Sequence, residues 1–267
     1  MNHDCHESKD HKDNGHKPDR REIDAQELLY HQDALRLETV TTCVGFDDML
    51  DVTLTYNHAQ VDNAIIITSH DDIKTQMVVQ KHGARLVLTD LFKKNNRQFN
   101  KGAAINSGFG HFQYHGWRLH LDADIVLPDN FKRILFNHTH LDRDAIYGCD
   151  RLDVVGVKDM RRLMSSPQHG FGYLVMSKNV PASARYVDGL RGYVPIGFFQ
   201  LWHASKQIWY PYSLGTAAHD DILFAEQWPS SHRRHLPTVI CYHLQAERGK
   251  MGENWEGRGQ KRLDLKD

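Results

Sequence analysis

The sequence predicts an α/β fold: a mostly parallel sheet with flanking helices, followed by a less regular C-terminal half. Three observations carry this. Strand-like and helix-like patterns alternate three times between residues 39 and 114, as in a parallel sheet with crossover helices. A further strand, 117–121, closes the series and ends in Asp122-Ala123-Asp124. Beyond residue 150 glycine, proline and aromatics become frequent, as in 170–173, 192–202 and 209–212.

The elements follow in order. Residues 39–46 are rich in β-branched side chains and predict a strand. Asp47 and Asp48 open a helix, acidic charge meeting its positive end. Phe46, Met49, Leu50 and Leu54 share one face of it. The apolar run 64–68 predicts a strand covered on both faces. Ser69 to Asp72 caps a second helix with Ile73 and Met77 expected inward, and 85–89 is a third strand. Residues 101–114 predict a third helix with a stripe of Ile105, Gly108, Phe109 and Phe112. Trp117, Leu119 and Leu121 alternate with Arg118 and His120, the period of a strand. Late in the chain, 239–244 is a short strand ending at His243.

Bulk properties exclude several classes. The 267 residues suffice for one large α/β domain or two small ones. Net charge is -1 and the pI about 7.0, so no global field draws the chain to nucleic acid or anionic membrane. The basic clusters Arg233-Arg234 and 258–262 are expected to be solvated surface. Cys5, Cys43, Cys149 and Cys241 form no Cys-x-x-Cys pair, which argues against a zinc ribbon or thioredoxin motif. No apolar run approaches the ~18 residues of a membrane helix, and the start of the chain is polar. The expectation is a soluble, cytoplasmic protein without a membrane span. Residues 1–35 are expected to be a disordered tail rich in His, Asp and Lys, with too little apolar surface to offset ordering entropy. His3, His6, His11 and His16 lie in it without a rigid frame for a metal. The expected division is 36–150 as a nucleotide-binding half and 151–267 as an acceptor-binding half of one domain.

The chemistry centres on Asp122 and Asp124. In an open parallel sheet, ligands bind outside the carboxyl ends of the strands, and these residues lie at such an end. Two neighbouring carboxylates repel unless a cation is near, and a hard divalent ion such as Mn²⁺ or Mg²⁺ is the natural occupant. The plain alternative is a pair of aspartates capping the next turn.

The runs Phe99-Asn100-Lys101-Gly102-Ala103-Ala104-Ile105-Asn106-Ser107-Gly108 and Trp117-Arg118-Leu119-His120-Leu121-Asp122-Ala123-Asp124 resemble the core of GT-A (Rossmann-like) glycosyltransferases. They are similar to the family 2 enzymes, the family 7 galactosyltransferases and the polypeptide N-acetylgalactosaminyltransferases. The resemblance implies a nucleotide-diphosphate sugar as donor and Mn²⁺ or Mg²⁺ as cofactor. It implies that Asp122 contacts the ribose or sugar, that Asp122 and Asp124 bind the metal, and that Thr42, Lys101 and Asn106 lie near the donor. Asp71 or Asp72 matches the aspartate that contacts the base, although Ser69-His70-Asp71-Asp72 departs from the usual Asp-Asp-x-Ser.

The second half continues the resemblance. Gly197 to Trp202 and His219-Asp220-Asp221-Ile222-Leu223-Phe224-Ala225 are similar to the acceptor region, where a carboxylate serves as general base in inverting members. Asp221 is the first choice and Asp220 the second; both also suit a helix N-terminus as plain dipole partners. His243 matches a late metal-binding histidine. Arg258, after Asn254-Trp255-Glu256-Gly257, is expected to meet phosphate. Trp202, Trp209 and Tyr210 suit stacking on a sugar or base, and equally suit the core. The acceptor carries a hydroxyl: a glycan, a small molecule or, less favoured by the charge, a modified nucleic acid. The rival readings are a nucleotidyltransferase acting on a sugar phosphate and a non-catalytic carbohydrate- or metal-binding protein. Val44-Gly45-Phe46-Asp47-Asp48 is acidic and glycine-poor where a nucleotidyltransferase usually carries a basic phosphate loop.

Overall fold

The computed structural model describes residues 35–96, 99–138, 140–165, 186–188, 192–211, 216–247 and 258–265. The expected tail, save residue 35, and the segments 170–173 and 254–257 lie outside them. The elements are β1 (Leu37–Thr42), α1 (Asp47–Asn57), β2 (Asn63–Thr68), α2 (Ile73–Lys81), β3 (Arg85–Leu88), α3 (Lys101–Phe109), β4 (Trp117–Leu121) and β5 (Ile125–Val126). There follow α4 (Phe131–His138), β6 (Ile146–Val155), α5 (Gly156–Ser165), β7 (Tyr186–Asp188), β8 (Gly192–Val194), β9 (Phe199–His203), α6 (Ala217–Ala225) and β10 (Arg233–Gln245).

One eight-stranded sheet runs in the order β3-β2-β1-β4-β9-β6-β10-β5. Strands β3, β2, β1 and β4 are parallel neighbours, as are β6 and β10. Strand β9 runs antiparallel between β4 and β6. This is the α/β, mostly parallel sheet with flanking helices that the sequence predicts. The chain steps outward from β1 to β2 to β3, then returns to place β4 on the other side of β1. That reversal is a topological switch point, where a crevice opens outside the carboxyl ends of β1 and β4.

The period of two divides the core. Ile66, Met49, Leu50 and Leu54 pack on one face with Val79 of α2 and Met160 of α5. Ile65 and Ile67 point the other way, against Ile105 and Phe109 of α3 and Phe224 of α6. Beside the first cluster, Phe131 and Leu135 of α4 pack against Leu119, Leu121 and Leu201.

Three expectations are corrected. Ile73 and Met77 are 57% and 64% exposed, while Thr75 and Val79 turn inward. The cause is Asp72, which caps α2 by accepting from Thr75 N and also accepts from Gly45 N at 2.7 Å. These bonds rotate the Thr75 face onto α1. Helix α3 stops at Phe109, at Gly110, although Phe112 still packs on its cluster. The half beyond residue 150 is more regular than expected. Strand β10 spans 13 residues with a register shift between Leu236 and Ile240, and it joins the same sheet through β6. Its regularity escaped the sequence pattern because strands buried on both faces, such as β9, lose polar alternation. Residue 150 falls inside β6. Among the described residues no helix is long and apolar enough to cross a membrane.

Candidate active site

The turn after β4 is pinned from four sides. Asp122 N donates to Phe198 O at 3.2 Å, and Leu244 N donates to Asp124 O at 2.8 Å. Thr53 Oγ1 of α1 donates to Ala123 O at 2.9 Å. Asn57 at the end of α1 donates to Ile125 O and accepts from Leu127 N, both at 2.8 Å. The two carboxylates are therefore held in place by the backbone around them, and they face different cations.

Asp122 meets Lys101, whose Nζ lies 2.9 Å from Asp122 Oδ1 and 3.1 Å from Asp221 Oδ2. Lys101 starts α3 and Asp221 sits at the middle of α6, so two helices and the end of β4 converge on this ammonium. Burial opposes the Lys101 charge, but Asp122 and Asp221 outweigh it and hold its pKa above the usual lysine range. Burial pushes the Asp221 carboxyl up to about 7; Lys101 opposes this, while Asp122 and Asp220 add to it. Asp221 Oδ1 is buried and accepts no hydrogen bond among the described residues. Burial likewise raises the Asp122 carboxyl against the pull of Lys101, with Asp124 adding to the rise.

Gly197 explains how Asp221 fits. A Cβ on Gly197 would stand 1.7 Å from Asp221 Oδ2, so only glycine admits the carboxylate here. Asp220 is fully buried and accepts from Gly102 N at 3.1 Å, which joins α6 to the first turn of α3.

Asp124 meets His243, with Oδ2 3.3 Å from Nε2. On the other side of the ring, Nδ1 is 2.7 Å from Asp153 Oδ1. His243 and Asp153 are register partners on β10 and β6. Burial opposes charge on His243, but Asp124 and then Asp153 push its pKa up to about 9. The same pair acts on Asp124 in reverse: burial opposes ionisation and His243 outweighs it, holding the carboxyl below its usual range. Arg151 adds positive charge to both carboxylates of the turn and stands over the Phe198 ring, 4.9 Å from its centroid.

Among the described residues no three metal-ligating side chains converge on one point. Two do: Asp124 Oδ2 and His243 Nε2. With Nδ1–H given to Asp153, Nε2 is the ring nitrogen free to ligate, the usual carboxylate–histidine arrangement behind a metal. This donor set fits a divalent ion completed by oxygens from elsewhere, and its imidazole suits Mn²⁺ better than Mg²⁺.

Other expected residues have different tasks. Asn106 donates to Tyr210 O and accepts from Tyr210 N, both at 2.9 Å, so its amide clamps that segment. Arg258 holds Asp48 with both terminal nitrogens, donates to Gly45 O and covers the Phe46 ring, so in this structure it clamps the C-terminal segment to the start of α1. Trp202 is fully buried between Phe109 and Phe224 and cannot stack on an acceptor. Trp209 is 55% exposed and keeps a free face. Asp72 is engaged as the α2 cap, whereas Asp71 lies beside it with its pKa lowered, chiefly by the neighbouring Ser69 hydroxyl. Thr42 ends β1 at the crevice and is largely buried.

The sequence reading missed Asp153, Arg151, Gln200 and His120. For the first two a signal existed: Arg151-x-Asp153 puts opposite charges on one side of a strand whose other residues, Asp150 apart, are uncharged. The arrangement defines the class: an α/β protein with an acidic, lysine-bridged site at the switch point of its sheet.

No protein-family model matches the chain, and no curated protein matches it. Solved structures do. Glucosyl-3-phosphoglycerate synthase from Mycobacterium tuberculosis, in complex with Mn²⁺, uridine-diphosphate-glucose and phosphoglyceric acid, superposes with a TM-score of 0.48 at 11% identity, covering 90% of this chain and 77% of that one. The same enzyme with uridine diphosphate gives 0.45 at 11%, over 85% and 76%. Mannosyl-3-phosphoglycerate synthase from Rubrobacter xylanophilus gives 0.36 at 16%, over 49% of this chain and 42% of that one. Likeness at this distance transfers no chemistry to the present chain.

Proposed function

We propose that the chain is a metal-dependent glycosyltransferase that moves a sugar from a nucleotide-diphosphate sugar to a hydroxyl acceptor with inversion. One observation carries the reading. At the switch point, Lys101 bridges Asp122 on the donor side to Asp221, a buried carboxyl pushed up to about 7 with one oxygen unengaged. A general base is most effective when its pKa lies near the working pH.

In this reading Asp221 Oδ1 accepts the proton as the acceptor oxygen bonds to the anomeric carbon. The bond from that carbon to the diphosphate breaks, and the nucleotide diphosphate leaves with the electron pair. Lys101 steadies both carboxylates and offers positive charge next to the leaving group. Asp124 and His243 would hold a divalent cation, which supplies further charge stabilisation to the diphosphate. To hold it, His243 would give up the proton it shares with Asp124. Asp122 would orient a hydroxyl of the ribose or sugar.

The test is a thermal-shift screen of nucleotide sugars with Mn²⁺, followed by transfer assays with hydroxyl acceptors. A specific donor stabilises the fold by mass action, and chelation removes both the shift and the transfer. Pyrophosphate release from a nucleoside triphosphate would instead establish a nucleotidyltransferase, and binding without turnover a non-catalytic protein. Full transfer in excess chelator would overturn the metal role.

A further inference from the structure

Beneath the site lies a buried polar chain that the reaction above does not use. Gln200 of β9 is fully buried. Its Nε2 donates to Pro195 O at 2.9 Å and to Asp221 O at 2.8 Å. Its Oε1 accepts from Tyr210 Oη at 2.5 Å. Tyr210 Oη is also 2.7 Å from His120 Nδ1. The protons can be assigned from this set. Two carbonyls fix the amide nitrogen of Gln200, so Oε1 can only accept, and the single tyrosyl proton goes to it. His120 Nδ1 must then donate to Tyr210 Oη. Every member up to that point has a defined role, and the chain of bonds ends at His120 Nε2, which is buried without a hydrogen bond 3.6 Å from Asp122 Oδ1.

What the network holds is the base. Pro195 leads into Gly197, the residue whose missing side chain makes room for the Asp221 carboxylate. Gln200 therefore ties together the two backbone segments on either side of that contact. Tyr210 is itself fixed by the Asn106 clamp and by parallel stacking on Phe224, ring centroids 4.0 Å apart at 5°.

We infer that Gln200, supported by Tyr210, is a positioning residue that sets Asp221 against Lys101. The inference rests on the role proposed above for Asp221, and it adds the device that places it. The charged and titratable groups around Asp221 are Lys101 from α3, Asp122 after β4, Asp220 on its own helix, and Tyr210. Of these only Lys101 favours the ionised carboxylate.

Two variants test it. Tyr210→Phe keeps the ring on Phe224 and removes the hydroxyl; Gln200→Leu removes the amide and still fills its volume. The ¹³C-carboxyl titration of Asp221, recognised by its absence in Asp221→Asn, reads the placement without any turnover. In both variants it moves to higher pH, because the carboxyl drifts from Lys101 while apolar groups keep water out. In the transfer assay kcat falls by about ten- to a hundredfold, as for a reacting group displaced by a fraction of an ångström, with donor KM unchanged. A merely structural role lowers melting temperature and leaves both readouts in place. If Gln200→Leu does not fold, Tyr210→Phe decides alone. An Asp221 titration that is unmoved or lowered in folded Tyr210→Phe overturns the inference. A wild-type chain that transfers no sugar refutes the reaction, and the titration still decides the positioning.

Discussion

At the scale of single residues, Asp221 carries the most consequence. Asp221→Asn keeps the shape of the side chain and removes the proton acceptor. Transfer is expected to fall by the ~10²–10⁴-fold of a general base, with donor binding retained; near-normal turnover would move the assignment to Asp220. A second expectation concerns stability. Burial raises the folded Asp221 pKa from 3.8 to about 7. The folded state then holds the proton more tightly than the unfolded one, so this contribution is greatest in acid and is lost as pH rises through about 7. The asparagine variant has no such loss. Its melting temperature relative to wild type should therefore climb between about pH 4 and pH 7 and level off above. Thermal melts across that range check it, and a constant difference would show that Asp221 does not titrate there.

At the scale of elements, the loop before β9 and the C-terminal segment make different predictions. Gly197→Ala places a methyl 1.7 Å from Asp221 Oδ2. The carboxylate is the movable partner, so it yields, and it leaves Lys101. Transfer is expected to drop at least ten-fold, of the order a small displacement of a reacting group costs, and the melting temperature to fall with it, because the buried Lys101 ammonium loses a partner. Equal activity would show that Asp221 need not sit against Gly197. The segment 258–265 behaves differently. Asp48 is held by Arg258 and by Leu263 N, and Arg262 pairs with Asp47. Burial opposes the Asp48 charge, but these partners outweigh it and keep the carboxyl below its usual range. Arg258→Met leaves that charge buried with fewer partners, a change that typically costs ~3–5 kcal/mol. Stability should fall while KM for the donor stays the same. A large rise in KM at unchanged stability would instead mean that Arg258 reaches phosphate.

At the scale of the whole molecule, the sheet does not divide where composition does. Strand β6 crosses residue 150, and β9 lies between β4 and β6. A fragment of residues 36–150 loses the neighbour that covers β4 and leaves Trp117, Leu119 and Leu121 without Leu201 and Phe199. It is expected to show no cooperative thermal transition; a sharp melt of the isolated fragment would refute this.

The amino-acid sequence by itself determined the local elements and the residue types of the site. Periods of two and 3.6 are properties of neighbouring residues, so the first four strands and the faces of α1 and α3 were legible. The expectation that Asp122, Asp124, Lys101, Asp221 and His243 share a site rested on motifs in order; the structure pairs Lys101 with Asp122 and Asp221, and Asp124 with His243. Only the tertiary structure decided their pairing. Lys101 and Asp221 are 120 residues apart, and His243 and Asp124 119. The same holds for Asn106, Arg258 and Trp202, whose polar or aromatic character suggested ligand contact. A hydrogen-bonding group or a ring is chemically the same whether it meets a ligand or another part of the chain. Which of the two it meets depends on strand order and helix rotation, and these are set by burial summed over the whole molecule.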